Sequence, residues 1–595
     1  MTHTINERVG RLRSWMKENG FTAFVFPSSD PHNSEYVADH WKSREWISGF
    51  SGSAGTAVVT LEYAALWTDS RYFIAAEKEL NGTGFQLMKL RVEGTPSVSE
   101  WLASKLSTYE KAVVGLDGNV NSFAEVAAME QELATKGNIT VRTDADPMAE
   151  LWTDRPVIPD NMVSLHPLEY SGESTSSKVS RVRKHLLDCG ADGLLVTALD
   201  EIAWVLNLRG SDVHCNPVFV SYLLISPENI TLYINNVKLP DDVKAYLMSE
   251  HIDVQAYESV VEGLRLYAGK SLLVDMSSTN YSLATAVPFE KVCSGVSPIA
   301  SMKAVKNKVE QDGFRAAMLR DGVAVVKFLA WLKSAVEAGG QTEISLDDRL
   351  TALRAEQPKF KGISFDTIVG YEAHGAIVHY EATPETDIPV QPHGLVLIDS
   401  GAQYLDGTTD ITRTIALGEL SEEQRRVYTL VLKGHIQLDR CRFPAGACGS
   451  QIDALARAPM WREGYNYMHG TGHGVGSYLN VHEGPHQIRM EWRPAPLQAG
   501  MTVTNEPGIY LEGKFGVRIE NTLLIVPAES TAFGDFLKFE TLTLAPIDTA
   551  PIVLEMLSTE EREWLNNYHR RVYESLSPYL EGNEKEWLRK ATLPI

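Results

Sequence analysis

Leu395-Val396-Leu397-Ile398-Asp399 opens the stretch that decides the fold of the second half of this chain, and Asp406-Gly407-Thr408-Thr409-Asp410 closes it. The apolar run predicts a buried strand, where an unpaired carboxylate such as Asp399 would be costly. A two-residue turn at Asp406-Gly407 would leave Asp399 and Asp410 about four residues out of register. A broader connection centred on Tyr404 and Leu405 would place the two carboxylates opposite each other, roughly 5 Å apart at Cβ. We therefore expect a wide or bulged hairpin.

A second pair of carboxylates lies symmetrically about Gly513. A hairpin at this glycine sets Glu506 and Glu520 across from each other on neighbouring strands. Arg518 has the parity of Glu520 and would brace a carboxylate on the same face. Read singly, each acid is an ordinary surface residue at a turn. As two mirror-like pairs they would repel one another when buried, unless cations were present.

Three histidines lie close together in a glycine-rich segment. His469 and His473 belong to His469-Gly470-Thr471-Gly472-His473-Gly474, and His482 follows within the next nine residues. The glycines exclude a helical zinc motif and let the backbone approach an ion. Four carboxylates and one imidazole form an oxygen-rich ligand set that favours Mn²⁺, Mg²⁺ or Ca²⁺, although zinc or cobalt could also bind. Two such ions, about 3.5–4 Å apart, would produce a bridging hydroxide at neutral pH, and this is hydrolytic chemistry.

Composition excludes several classes of protein. The chain has 595 residues with 55 basic and 77 acidic side chains, a net charge of −22. Such an acidic surface argues against binding of nucleic acid or of an anionic membrane. The N-terminus has no signal-peptide pattern, and no apolar run is long enough for a membrane span. The five cysteines form no paired framework, so we expect a reducing, cytoplasmic location.

The first half of the chain contains an internal duplication. An amphipathic helix, a glycine stop and a buried strand near Gly20 recur in the same order near Gly190. Two further matches follow, Trp46 with Trp204 and Leu66 with Leu232. We expect two related α/β domains at 1–160 and 161–300, and a third domain at 301–595.

The third domain has an α+β pattern. Residues 306–339 predict a long helix, and residues 394–544 predict short antiparallel strands between Gly- and Pro-rich turns. Ser558 and Glu561 form a capping-box signature before a C-terminal amphipathic helix. That helix would pack either on its own domain or on a second subunit.

The sequence resembles the pita-bread metallopeptidases, which include methionine aminopeptidase, prolidase and aminopeptidase P. Among them it is most similar to the long, three-domain, cytosolic type of aminopeptidase P, also called X-prolyl aminopeptidase. The resemblance covers nearly the whole chain and rests on the motifs at 30–36, 48–55, 66–72, 399–404, 406–410, 469–476, 480–485, 506–508 and 518–521. It implies two creatinase-like α/β domains followed by a pita-bread catalytic domain.

The resemblance also implies a role for each matching residue. Asp399 would bind one metal ion, His473 and Glu506 the other, and Asp410 and Glu520 would bridge the two, which are expected to be manganese. His379 and His482 would contact the scissile carbonyl, His469 would shape the pocket, and Arg71 would contact substrate. The implied enzyme is a homodimer that removes the N-terminal residue from peptides with proline in the second position. His374 departs from the family pattern, where asparagine is expected.

Two other functions fit parts of this pattern. A prolidase, which cleaves only X-Pro dipeptides, has the same metal ligands, but the duplicated N-terminal half favours aminopeptidase P. A catalytically inactive pita-bread module that binds peptides would lack ligands, whereas all five are present here.

Overall fold

The computed structural model of the protein describes residues 2–595. The chain forms two compact units. One contains the chain up to His166 together with Glu173–Ile299, and the other contains Pro167–Gly172 and Ala300–Ile595. Helix Pro298–Ala304 contains the point where the chain passes from the first unit to the second.

The first unit contains two six-stranded sheets with the same strand order. The strands of one sheet, in spatial order, are Gln86–Lys89, Ala64–Thr68, Thr56–Thr60, Ala23–Pro27, Ala112–Leu116 and Ile139–Arg142. Those of the other are Ile252–Gln255, Ile230–Tyr233, Tyr222–Ile225, Gly193–Val196, Leu272–Val274 and Val292–Ser294. Parallel and antiparallel pairings match position by position. The predicted relation between the two α/β parts is confirmed.

Helices accompany both sheets. The helices in the sequence of the first sheet are Thr2–Asn19, Ser43–Ser48, Phe73–Glu79, Val98–Leu106, Phe123–Ala134 and Met148–Leu151. Those in the sequence of the second sheet are Thr175–Asp188, Leu199–Leu206, Asp241–Ser249, Val260–Arg265 and Tyr281–Ala286. Two short strands, Ser164–Leu165 and Leu208–Arg209, also pair. The helices before Gly20 and Gly190 both end at a glycine with φ of +75°, which explains the repeated helix–glycine–strand signature.

The second unit combines helices with small antiparallel sheets. Its helices are Leu168–Ser171, Lys308–Ala338, Glu343–Ala355, Glu422–Asp439, Asp453–Trp461, Thr559–Leu576 and Gly582–Ala591. The long helix agrees with the prediction, because Asn307 caps its N-terminus and Gly339 with a φ of +84° follows its end. No helix in the described part of the chain is long and apolar enough to cross a membrane.

The strands of the second unit pair only in antiparallel ladders within the described part of the chain. They are Phe360–Ile363, Ile368–Tyr371, Leu395–Ser400, Ala402–Tyr404, Gly407–Thr408, Ile411–Ala416, Arg442–Pro444, Gly472–Gly474, Glu483–Ile488, Thr502–Asn505, Gly508–Leu511, Phe515–Arg518, Asn521–Thr531 and Gly534–Thr541. This is the predicted α+β arrangement of hairpins.

The C-terminal helix packs on its own unit. Ser558 and Glu561 form the predicted capping box, and Leu565, Tyr568 and Val572 are buried in a core shared with helix Glu422–Asp439. The alternative, that this apolar face covers a second subunit, is therefore wrong for these three residues. Burial of their side chains within one chain supplies the driving force for this docking.

Candidate metal centre

The Asp399 hairpin has a different register from the one we expected. Asp399 pairs with Thr412, Ser400 with Ile411 and Tyr404 with Gly407, so the turn is a tight one at Leu405 and Asp406. Asp410 is therefore two residues away from the position opposite Asp399. The predicted wide connection centred on Tyr404 and Leu405, with Asp410 opposite Asp399, is wrong, because the hairpin closes through a two-residue turn one position further along the chain.

The expected bulge is absent, because the pairs on both sides of Gly401 have one register, but the ladder is interrupted beside Asp399. The ladder stops between Ser400 and Ala402, and the same two chain segments continue into another sheet. A Cβ on Gly401 would lie 2.0 Å from the Thr409 carbonyl oxygen and 2.2 Å from Ser364 Oγ, so only glycine fits the crossing. Ser364 Oγ donates to that Thr409 oxygen at 2.8 Å. Because the ladder is interrupted here, Asp410 is not paired in either of the two ladders.

The Glu506 hairpin follows the prediction. The pairing is interrupted at Glu506 and Glu520. Gly508 pairs with Arg518 on one side of this interruption and Asn505 pairs with Asn521 on the other, so both ladders have one register, symmetric about Gly513. Gly513 has a φ of +72°, as the turn requires. Glu506 and Glu520 lie opposite each other at the interruption of this ladder. Their amides donate elsewhere, to Thr471 O at 2.8 Å and to Thr412 O at 3.1 Å.

The two hairpins and the histidine segment meet at one buried cluster. His473 Nε2 lies 3.4 Å from Asp410 Oδ2 and 3.5 Å from Glu506 Oε1. Asp410, His473 and Glu520 each offer a ligand atom, and these atoms all lie within 4.8 Å of one another. His473 Nδ1 donates to the Gly474 carbonyl at 2.9 Å, which leaves Nε2 with its lone pair toward the carboxylates in the neutral ring.

The charges of this cluster are only partly balanced by protein groups. Burial raises the pKa of Glu520 well above its ordinary value, and the charges of Asp410 and Asp399 add to this. Burial also raises the pKa of Glu506, partly offset by His473, and of Asp399, partly offset by Arg518. Burial disfavours the charged His473 ring, but the bond to Asp410 and the charge of Glu506 outweigh it and raise its pKa to about 9.

These properties fit bound divalent cations. Asp399 Oδ1 is buried and accepts no hydrogen bond from the described residues, although Oδ2 is bonded. A buried carboxylate oxygen without a donor is costly unless a cation binds it. The donor set of carboxylate oxygens and one imidazole nitrogen suits hard or borderline metals.

Arg518 orients Asp399 and links it to His469. The guanidinium donates to Asp399 Oδ2 through Nη2 at 2.7 Å and to Tyr510 OH through Nη1 at 2.8 Å. His469 Nδ1 bonds the Gly470 carbonyl at 2.7 Å, so its Nε2 accepts from Tyr510 OH at 2.8 Å. The bracing role expected for Arg518 is present, with Asp399 as the carboxylate that it contacts.

Two threonines hold the glutamates. Thr412 Oγ1 donates to Glu520 Oε2 at 2.7 Å, and Thr504 Oγ1 donates to Glu506 Oε1 at 3.2 Å. Both threonines are fully buried. Neighbouring hydroxyls of this kind fix the rotamer of a ligand before a metal binds.

His482 lies beside the cluster. Its ring centroid is 4.4 Å from that of His473, and the two planes are nearly perpendicular at 82°. The next residue, Glu483, is buried and pairs with Lys303 Nζ at 2.9 Å and with Lys306 Nζ. Glu483 also pairs with Gly474 in the strand that carries His473. The loop that carries His482 is therefore anchored by a buried ion cluster.

His379 follows a short 3-10 helix, Glu372–Ala376, in a half-buried turn. The buried Glu343 carboxylate holds both ends of this segment, because it accepts from Tyr371 N at 2.8 Å and from Tyr380 OH at 2.9 Å. His374 Nδ1 lies 3.0 Å from both oxygens of the same carboxylate. The histidine that departs from the family pattern thus joins the support of the His379 turn.

Arg71 lies in the first unit. Its guanidinium makes a two-pronged contact with Asp69 at 2.8 Å for each oxygen, and Nη1 lies 3.9 Å from Glu35 Oε1. Burial disfavours its charge, but these acidic neighbours raise its pKa above the ordinary value.

Sequence reasoning missed several supports of the site. Thr412 could have been found, because it lies two residues after Asp410 and therefore has the same parity. Tyr510, Glu343 and the pair Lys303 and Lys306 gave no local signal. Their importance arises from partners that are distant in sequence.

Known proteins resemble this chain over its whole length. Residues 312–527 match the model of metallopeptidase family M24, and residues 535–595 match the C-terminal region of peptidase M24. Residues 8–149 and 154–310 each match a creatinase/prolidase N-terminal domain.

Relatives and solved structures agree with these matches. Aminopeptidase P1 of Arabidopsis thaliana is 39% identical, and the match covers 99% of each chain. The X-prolyl aminopeptidase of Caenorhabditis elegans, described as a cytosolic enzyme with a di-nuclear active site, superposes with a TM-score of 0.95 at 35% identity and full coverage of both chains. The Xaa-Pro dipeptidase of Bacillus anthracis matches 64% of this chain and all of its own, with a TM-score of 0.53 and 25% identity. The buried carboxylate–histidine cluster thus lies in a chain that belongs to the aminopeptidase P group of metallopeptidase family M24.

Proposed function

We propose that this protein is an Xaa-Pro aminopeptidase that hydrolyses the bond before proline at the N-terminus of peptides. The observation that carries the proposal is the convergence of Asp410, His473, Glu506 and Glu520 beside Asp399 in one buried cluster. The full-length match to aminopeptidases P, compared with partial coverage by a dipeptidase, supports this enzyme over a prolidase.

The proposed cofactor is a pair of divalent ions, with Mn²⁺ as the first candidate and zinc or cobalt as alternatives. Asp399 would hold one ion, His473 and Glu506 the other, and Asp410 and Glu520 would contact both. When bound, the ions supply Lewis acidity and allow water to act as a nucleophile at neutral pH. The di-nuclear site of the nematode relative supports two ions rather than one.

The histidines around the cluster are assigned to the substrate. His379 and His482 would donate to the scissile carbonyl oxygen as negative charge develops on it, and His469 would shape the pocket. Arg71 is assigned a substrate contact. An X-Pro bond has no N–H and a restricted shape, so a pocket that needs no amide donor can accept it.

Hydrolysis after metal removal and re-addition tests the proposal. We expect purified protein to release Arg from Arg-Pro-Pro, to lose this activity on chelation, and to regain it with Mn²⁺. Brisk cleavage of Gly-Pro without release of Arg from the tripeptide would instead identify a prolidase. Absence of both a bindable divalent ion and hydrolysis would leave a peptide-binding module.

We further propose a cytoplasmic homodimer with domain boundaries near residues 160 and 300. The cytosolic description of the nematode relative supports the location. Trp461 and Met468, which are 45% and 48% exposed and both contact Asn466, are apolar side chains that such a dimer would cover. Sedimentation at several protein concentrations tests the dimer, and a single monomeric species would contradict it.

A further inference from the structure

Glu520 is held at three points by two consecutive residues of strand Ile411–Ala416. Its amide donates to Thr412 O at 3.1 Å, its Oε2 accepts from Thr412 Oγ1 at 2.7 Å, and its carbonyl accepts from Arg413 Nη1 at 2.6 Å. At Glu520 the ladder that is symmetric about Gly513 is interrupted, and these contacts to Thr412 and Arg413 take the place of its hydrogen bonds. The position of this carboxylate therefore depends on where the Arg413 guanidinium lies.

Arg413 is a buried cation whose acceptors are all uncharged oxygens. Besides Glu520 O, its guanidinium donates to Thr412 O, Asn521 Oδ1, Ala545 O, Pro546 O and Tyr568 OH, at distances of 2.8–3.0 Å. A planar guanidinium with fixed donors can satisfy such a set only in one orientation. Loss of one acceptor would let the Arg413 guanidinium rotate, and this rotation would weaken its hydrogen bond to Glu520 O.

Tyr568 supplies one of these acceptors from the C-terminal helix, Thr559–Leu576. Its hydroxyl accepts from Arg413 Nη2 at 2.9 Å and donates to Ala545 O at 2.7 Å. The ring stacks on Trp564 with centroids 5.3 Å apart and planes 7° apart. Trp564 is itself fixed by a 2.7 Å bond from its Nε1 to Asp439. The Tyr568 ring and hydroxyl are thus both held by neighbouring groups, and the hydroxyl contacts the same guanidinium that donates to Glu520 O.

We propose that Tyr568 and Arg413 are positioning residues through which the C-terminal helix sets the place of Glu520 and hence the affinity for the divalent ions. This inference rests on the proposed function, because it concerns the ions assigned to the cluster. We assign neither Arg413 nor Tyr568 a contact with an ion or with the substrate. They act through the backbone and side chain of one proposed ligand, in the way that outer residues orient metal ligands.

Metal affinity of the full-length protein tests the inference, with Tyr428→Phe as a matched control. Tyr428 is a fully buried tyrosine of the same core, and its hydroxyl donates to Asp548 O at 2.7 Å rather than bonding Arg413. Both substitutions remove one buried hydroxyl, so we expect similar losses in Tm. Mn²⁺ binding is measured by competition with a chromogenic chelator, and independently by the rise of Tm with added Mn²⁺.

We expect Tyr568→Phe to weaken Mn²⁺ binding about tenfold and the control to leave it unchanged. Excess Mn²⁺ should restore kcat in Tyr568→Phe, whereas the control, with a similar loss in Tm, should need no more Mn²⁺ than the wild type. Arg413→Lys, which keeps the charge but loses the fork, should weaken binding at least as much. Wild-type affinity in both Tyr568→Phe and Arg413→Lys would overturn the inference. A wild-type protein that binds none of Mn²⁺, Zn²⁺ and Co²⁺ by either method would overturn the proposed function and this inference together.

Discussion

Arg518 contacts Asp399 through two nitrogens, with Nη2 at 2.7 Å and Nε at 3.2 Å from the same carboxylate oxygen, Oδ2. The other oxygen, Oδ1, accepts no bond from the described residues. One arginine therefore fixes the rotamer of a proposed ligand and leaves the second oxygen for an ion. A buried pair of this kind depends strongly on both partners, because removal of one leaves an uncompensated charge.

Arg518→Gln should lower kcat/KM about 10- to 100-fold, because Asp399 would lose the group that orients it. The measurement is hydrolysis of Arg-Pro-Pro at saturating Mn²⁺. Arg315→Gln is a matched control, since Arg315 makes a two-pronged contact with Glu540 at 2.7 and 2.9 Å on the surface of the same unit. If Arg518→Gln had the same kcat/KM as Arg315→Gln, the proposal that Arg518 orients Asp399 would be contradicted.

Asp410→Ala should abolish hydrolysis and weaken both ions, because this carboxylate is assigned to contact both. The measurements are activity and bound Mn²⁺ per chain after dialysis. Asp406→Asn is the control: Asp406 is a buried aspartate of the same hairpin, but it pairs with Arg320 and Lys359 away from the cluster. Near-normal activity of Asp410→Ala would refute the assignment.

His482→Ala should slow catalysis while bound Mn²⁺ stays near the wild-type amount, because His482 is assigned to the substrate carbonyl rather than to an ion. Loss of one hydrogen-bond donor to a developing oxyanion typically lowers kcat about 100- to 1,000-fold. Bound Mn²⁺ and kcat are measured on the same preparation. Loss of an ion from this variant would show that His482 is a ligand instead.

Gly401→Ala should reduce both stability and metal binding, since its Cβ would clash with the Thr409 carbonyl at 2.0 Å. Backbone would have to move, and overpacking of this kind typically costs about 1–3 kcal/mol. Gly10→Ala is the control, because a Cβ there meets nothing within 4 Å. Thermal unfolding with and without Mn²⁺ measures the effect. A wild-type Tm and Mn²⁺ response in Gly401→Ala would contradict the tight crossing.

Asp439→Asn should become more stable, relative to the wild type, as the pH rises from 5 to 8. Burial raises the pKa of Asp439 to about 6, although bonds from Thr541 and Trp564 favour its charged form. The folded wild type therefore holds a proton that the unfolded chain releases, and wild-type stability falls between about pH 4 and pH 6.

The variant lacks this titration, so the difference in unfolding free energy should shift in its favour by about 1 kcal/mol between pH 5 and pH 8. Parallel denaturation of both proteins at the two pH values measures this difference, and other titrating groups cancel in the comparison. A difference independent of pH would show that Asp439 is charged throughout.

Much of the candidate site follows from short-range features of the sequence. Strand parity and the symmetry about Gly513 predicted that Glu506 and Glu520 face each other, and the ladders on both sides of them have this register. The capping residue Ser558 likewise begins the helix that it predicts. Such features depend on residues a few positions apart, whose geometry is fixed by backbone sterics and local hydrogen bonds.

Only the tertiary structure decided the register beside Asp399 and the partners that hold the ligands. The two-residue turn at Leu405 and Asp406 is accompanied by a close approach of Gly401 to Thr409, whose carbonyl also accepts from Ser364 Oγ. Arg413 and Tyr568 are 155 residues apart, yet both support Glu520. The sequence by itself determined the order of the acids and histidines and the strands that carry them. Which distant side chains satisfy their buried polar groups was decided by packing, because many partners are compatible with each group until the core is assembled.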